Sequence, residues 1–127
     1  MVITCSDTRT PDTDTSGQLI HKLLEKQGHK VAAYHVVKDE PTQIKDRIAE
    51  GLVNEAVQAI IINGGTGISK RDSTFEAVDA MLEKRLDGFG EVFRYLTYQD
   101  IGSPAIMSRA TAGIIKGRVL FSTPGSE

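Results

Sequence analysis

The segment pattern of this chain predicts an α/β domain built on a largely parallel sheet, and three observations carry that reading. Short apolar stretches alternate with amphipathic helical ones. One stretch, Ala56 to Ile62, is apolar on both faces apart from Gln58, as a central strand reads when helices cover both sides of a sheet. The segments richest in Gly, Ser, Thr and Asp directly follow apolar ones, at the strand ends where open parallel sheets bind their ligands. With 127 residues the chain has the length of one domain, enough to bury a full core of two or three layers.

Val2-Ile3-Thr4-Cys5 reads as the first strand, and the polar stretch from Ser6 to Asp14 as a turn. From Ser16 the pattern is helical, with Leu19, Ile20, Leu23 and Leu24 on one face and Gly28 as the stop. Asp14 or Thr15 suits the N-cap of that helix. Lys30 to Val37 reads as a second strand. Pro41 fits the first turn of a helix whose apolar residues Ile44, Ile48 and Leu52 recur every four positions. After the buried strand and a glycine cluster, Ser73 and Glu76 have capping-box spacing, and Phe75, Val78 and Leu82 carry the helix inward. Lys84-Arg85 reads as its solvated end. Phe89, Phe93 and Leu96 mark another helix, as core or as a subunit interface, and Pro104 to Arg109 a short one. Arg118 to Phe121 is the closing strand, leading into Pro124-Gly125-Ser126.

Composition excludes several classes. Fifteen Lys and Arg against seventeen Asp and Glu leave a net charge of −2, with no basic stripe of the kind a duplex nucleic-acid binder carries. The longest fully apolar run, Ala59 to Ile62, is far too short to span a membrane. Met1 to Thr4 has neither the basic nor the apolar region of a signal peptide. A single cysteine, Cys5, makes no internal disulfide, which agrees with a reducing cytoplasm. Cys5 reads as a small buried strand residue, and His21, His29 and His35 lack the spacing of metal ligands.

The chemistry concentrates in four loops: Ser6-Asp7, Lys38-Asp39, Asn63 to Asp72, and Thr123 to Ser126. In Asn63-Gly64-Gly65-Thr66-Gly67 the glycines let the backbone approach a ligand and aim N–H groups at an anion, while Thr66 adds a hydroxyl. The spacing is neither that of a Walker A loop nor G-x-G-x-x-G. A phosphate or polar heterocycle fits such a loop, and so does a tight strand-to-helix turn that binds nothing. Asp72 closes the loop and Asp39 ends the neighbouring strand. Two carboxylates beside a phosphate cradle suit a bridging Mg²⁺, and either one alone also suits the positive end of a helix. Asp7 and Arg9 lack so easy a local role, although a solvated loop would tolerate them.

Taken together, these segments resemble the molybdenum-cofactor biosynthesis protein B and molybdopterin adenylyltransferase family. The matching residues are Val2 to Asp7, Asp14 to Gly17, Lys38-Asp39-Glu40, Asn63 to Asp72, Gly88-Phe89-Gly90-Glu91 with Phe93-Arg94, Leu120 to Ser122 and Pro124 to Ser126. They span nearly the whole chain in the family's order. The resemblance implies one molybdopterin-binding domain over residues 1–127, folded as a three-layer α/β/α sandwich and assembled as a trimer, or a hexamer in the protein B branch. Family members continue with a helical segment after Pro-Gly-Ser. The implied reaction is attack of the terminal phosphate of molybdopterin on the α-phosphorus of MgATP. Its product, adenylylated molybdopterin, passes to a molybdate-inserting partner. Asp39 and Asp72 match the family's two functional aspartates, implied to hold Mg²⁺ and orient phosphates. Ser6, Asp7, Ser16, Gly17, Gly64, Gly65, Thr66, Gly67, Pro124, Gly125 and Ser126 are implied to line the substrate and nucleotide pocket. Gly67-Ile68-Ser69 looks like the protein B branch, in which some members bind without catalysing. A nucleotide-cleaving relative, such as the related domain of competence-damage-inducible protein A, shares the fold.

Overall fold

The computed structural model describes residues 1–66 and 74–125. In chain order these form β1 (Val2–Cys5), α1 (Thr15–Lys26), β2 (Tyr34–Val37), α2 (Pro41–Val53), β3 (Ala59–Asn63), α3 (Thr74–Met81), β4 (Lys84–Arg85), α4 (Asp87–Ile101), a 3-10 turn (Ser103–Met107), β5 (Thr111–Ile115) and β6 (Arg118–Thr123). One sheet has the order β2-β1-β3-β6-β5-β4. The four strands β2, β1, β3 and β6 run parallel, β5 pairs antiparallel with β6, and β4 pairs antiparallel with β5 at the sheet's edge.

Strand alternation sorts the side chains into two faces. Ile3 stands opposite Ile62, and Ile60 opposite Leu120. With Cys5 and Val37 they form one face, packed on Ile44 and Ile48 of α2 and Val78 of α3. Ile3, Ile44, Ile48, Ile60, Ile62, Val78 and Leu120 are each fully buried, so this face holds the core. The other face carries Phe121, against which Phe89 of α4 packs with ring centroids 5.2 Å apart. On the same side Tyr34 of β2 reaches the cap of α1. Helices therefore lie on both faces, giving the expected three layers. Beside α1 the second face keeps a groove of about 430 Å³, whose walls include Leu24, Ala59, Ile61 and Phe121.

Several local expectations hold for their stated reasons. Asp14 caps α1 by accepting a hydrogen bond from the Gly17 N–H. Pro41 opens α2, and its four-residue repeat buries Ile44 and Ile48. The Gly-Phe-Gly-Glu segment begins α4, where Gly90 leaves room for Arg94 to donate to the carbonyls of Ser108 and Ala110.

Other expectations are corrected. The second strand begins at Tyr34 rather than Lys30. The apolar face of α1 is only half covered, because the sheet contacts its first turn and leaves Leu19 and Leu23 about half exposed. Lys84-Arg85 is an edge strand paired with Ile114 and Gly113, and not a helix end. Strand β5 had no counterpart among the expected elements. It joins β6 through Lys116 and Gly117, both at positive φ, the two-residue turn whose twist matches a hairpin.

Candidate functional site

Because β1, β2, β3 and β6 are parallel, their carboxyl ends share one edge, and the described parts of the four loops singled out in the sequence meet there. A cleft of about 270 Å³ opens at that edge, lined by Thr4, Cys5, Ser6, Arg9, Ser16, Asn63, Gly64, Gly65, Thr66 and Gly125. Of the expected site residues, Ser6, Ser16, Gly64, Gly65, Thr66 and Gly125 thus come together. Asp7 and Asp39 stand at the rim, joined by a hydrogen bond from the Asp39 N–H to Asp7 Oδ1 at 3.1 Å. Pro124 is half-buried between β6 and Gly125. Gly17 lies behind the cleft and not in its lining, since a Cβ there would fall on the Asp14 carboxylate and the Thr4 hydroxyl. Gly67, Asp72 and Ser126, together with the Ser73 half of the capping box, fall outside the described residues.

The floor of the cleft is a polar network that the sequence does not announce. Asn63 ends β3 almost fully buried, and its side-chain amide donates to Ser16 Oγ at 2.8 Å and to Thr4 Oγ1 at 3.5 Å. That fastens the first turn of α1 to the centre of the sheet, with buried polar groups satisfying one another. Below it Asp14, with no exposed surface, accepts from the Gly17 N–H at 3.1 Å and from the Tyr34 hydroxyl. Burial opposes ionisation of Asp14. The hydrogen bonds from Tyr34, Thr4 and the Gly17 N–H, with the charge of Arg9, outweigh that cost and hold its carboxyl below the usual range. Burial first, then the bond to Asp14 and its charge, pushes Tyr34 up to about 12. Tyr34, Thr4 and Asn63 were missed as site residues. The available signal was a polar residue inside each apolar strand, which burial obliges to find a partner.

The glycine loop is shaped by its glycines. Gly64 has φ +100°, and a Cβ there would sit 2.5 Å from the Cys5 carbonyl oxygen. Its N–H donates to the Thr123 carbonyl at 2.8 Å, tying the loop to β6. Gly65, at φ +74°, brings its backbone beside Asp39, whose Oδ1 would lie 3.3 Å from an added Cβ. Gly64→Ala should therefore destabilise the protein by about 2–4 kcal/mol through strain and overpacking. Urea unfolding measures this, and a wild-type midpoint would show that the loop tolerates a side chain.

Arg109 is the fourth missed residue. Its Nε donates to the Thr66 carbonyl at 2.9 Å, its guanidinium lies 4.4 Å from the centre of the Phe75 ring, and it pairs with Glu76. It anchors the glycine loop to α3 from the start of β5. No sequence signal links residues 43 apart. Cys5 behaves as expected of a buried strand residue: burial, then the nearby Asp39 charge, pushes its thiol up to about 12, so it is no nucleophile near neutral pH.

Asp39 accepts a hydrogen bond from Thr74 through Oδ1, and Oδ2 has no partner among the described residues. A rim carboxylate with one oxygen unengaged among the described residues is a hard oxygen ligand of the kind Mg²⁺ takes when it shares phosphates with a substrate.

Comparison with known proteins agrees with this fold. A family model described as "Probable molybdopterin binding domain" matches residues 1–127. Molybdenum cofactor biosynthesis protein B of Bacillus subtilis is 54% identical over 126 residues, covering 98% of this chain and 74% of that protein. A crystal structure of a molybdenum cofactor biosynthesis protein B superposes with TM-score 0.95 at 52% identity, covering 98% of this chain and 78% of that one. The tungsten cofactor synthesizing protein MoaB from Pyrococcus furiosus superposes at 0.85 with 38% identity, covering 98% and 80%. A family match over the full length, relatives above half identity and a common fold leave one conclusion: the chain belongs to the molybdopterin-binding-domain family of molybdenum cofactor biosynthesis proteins.

Proposed function

We propose that the cleft binds molybdopterin and joins its terminal phosphate to AMP from MgATP. A phosphate oxygen of the pterin forms a bond to the α-phosphorus, the bond from that phosphorus to the β,γ-pyrophosphate breaks, and pyrophosphate leaves. The observation that carries this reading is the convergence of Gly64, Gly65 and Thr66 with the Asp39 carboxylate at one edge of the sheet. Loop N–H groups such as those of Gly65 and Thr66 favour phosphate oxygens, and a cation lying between lets a carboxylate stand beside those phosphates. Asp39, with Asp72 as the second carboxylate, would hold Mg²⁺, which when bound neutralises charge on the phosphates. The chain's own part is positioning: Ser6, Ser16 and Thr66 offer hydroxyls, and the buried Asn63 network keeps α1 and β3 at fixed separation. In phosphoryl transfer, such positioning and electrostatics supply most of the catalysis.

The oligomer belongs to the same proposal. Helix α4 and the 3-10 turn that follows it leave Val92, Tyr95, Leu96, Tyr98, Ile101, Ile106 and Met107 exposed. Such side chains suit burial between copies in a homotrimer or homohexamer. The product would then pass to a protein that inserts molybdate.

The test is product analysis after incubating the protein with molybdopterin, ATP and Mg²⁺, with and without EDTA, on material sized by sedimentation. Adenylylated molybdopterin that disappears with EDTA is the expected result. Tight pterin binding without product would leave a binding or scaffold protein, and a monomeric sediment would remove the oligomer.

A further inference from the structure

We infer that Arg9 is the phosphate-recognition residue of the cleft. The inference rests on reading the cleft as the site of a phosphate-bearing substrate, and it names the side chain that would meet that group.

Arg9 is the one charged side chain among the residues lining the cleft. Its backbone is set by Ser6, whose Oγ accepts from the N–H groups of Thr8 and Arg9 at 3.2 and 3.1 Å. Its guanidinium is held by one nitrogen only. Nη1 donates to Thr15 Oγ1 and Ser16 Oγ, each at 3.3 Å, and stands 3.7 Å from Asp14 Oδ1. Nη2 and Nε have no hydrogen-bond partner among the described residues, and about a third of the side chain is exposed. The Asp14 carboxylate behind it is already engaged by Tyr34 and the Gly17 N–H. It therefore orients the guanidinium without occupying the donors on its far side.

A guanidinium fixed at one edge and open at the other presents a planar fork, the geometry that takes two oxygens of a phosphate at once. Beside it stand the hydroxyls of Ser6 and Ser16, and the backbone of Gly65 and Thr66 lines the same cleft. Together they surround an anion with donors. A neutral heterocycle would leave the guanidinium charge unmatched, and a carboxylate brings two oxygens where a phosphate brings three. The pterin and ATP both carry phosphate, so the residue recognises the group, and binding assays must decide the source.

The experiment is equilibrium titration of wild type, Arg9→Ala and Arg9→Lys with three ligands taken separately: MgATP, molybdopterin and molybdopterin with its phosphate removed. Unchanged circular dichroism and thermal midpoint would certify that each variant is folded. Arg9→Ala should weaken at least one phosphate-bearing ligand by about 10- to 100-fold, the range for a lost charge-assisted contact. Arg9→Lys should recover part of it, and affinity for the dephosphorylated pterin should not move. Loss confined to MgATP assigns Arg9 to the nucleotide, and loss confined to molybdopterin assigns it to the pterin. Wild-type affinity of Arg9→Ala for both overturns the inference while leaving the pterin reading intact. Equal weakening with and without the pterin phosphate also overturns it, since Arg9 would then only shape the loop. Arg9-dependent binding of MgATP by a protein that takes no pterin would uphold the inference and end the pterin reading.

Discussion

Asp39→Asn is expected to lower the rate of molybdopterin adenylylation by about 10²–10³-fold, with thermal stability little changed. The substitution is discriminating because of what Asp39 touches. Its backbone N–H is held by Asp7, and its Oδ1 accepts from Thr74. Asparagine keeps the shape, the backbone bond and an oxygen for Thr74, and removes only the charge. A structural anchor would survive that exchange, whereas a ligand for a cation shared with phosphates would not. Higher Mg²⁺ should restore part of the activity, because a weakened site refills by mass action. Asp72→Asn is expected to behave likewise while sparing the fold. Full turnover by either variant, measured as adenylylated molybdopterin formed per minute, would remove that aspartate from the mechanism.

The largest effect on stability should come from Asp14→Ala, at about 3–5 kcal/mol. Asp14 is fully buried, and its removal orphans the Gly17 N–H and the Tyr34 hydroxyl and leaves Arg9 without its countercharge. It also deletes the N-cap of α1. The effect should depend on pH. The carboxyl titrates lower in the folded chain than in the unfolded one, so the unfolded state binds the proton first as pH falls. Its contribution is therefore complete above the unfolded value of about 3.9 and is lost as pH drops through the folded value. Wild type and Asp14→Ala should differ strongly in urea midpoint near neutral pH and converge below about pH 4. An equal difference at both pH values would mean that packing and not charge keeps Asp14 in place.

Both predictions show where residues alone were informative and where they were not. The strand and helix alternation, the Asp14 cap, the α2 repeat and the glycine loop were legible because each is a local pattern. Each depends on neighbours within about four residues, the range over which periodicity and capping act. The clustering of Ser6, Asp39, Gly64 and Gly125 followed from one further rule, that parallel strands place their carboxyl ends together. Strand β4, two residues long, offers no period to read, and its pairing with Gly113 and Ile114 exists only because β5 passes beside it. The Lys116-Gly117 turn was the one local sign of the hairpin that creates β5.

Sequence by itself thus determined the layered α/β architecture, the edge that holds the cleft and most of the residues that line it. Tertiary structure alone decided which polar side chains became partners. Asp14 met Tyr34, Asn63 met Thr4 and Ser16, and Arg109 met Thr66, across separations of 20 to 59 residues. The physical reason is that a local pattern states a residue's preference for burial or for a turn. The identity of its partner depends on sheet register and on which helix face the sheet covers, and both are settled by packing of the whole chain.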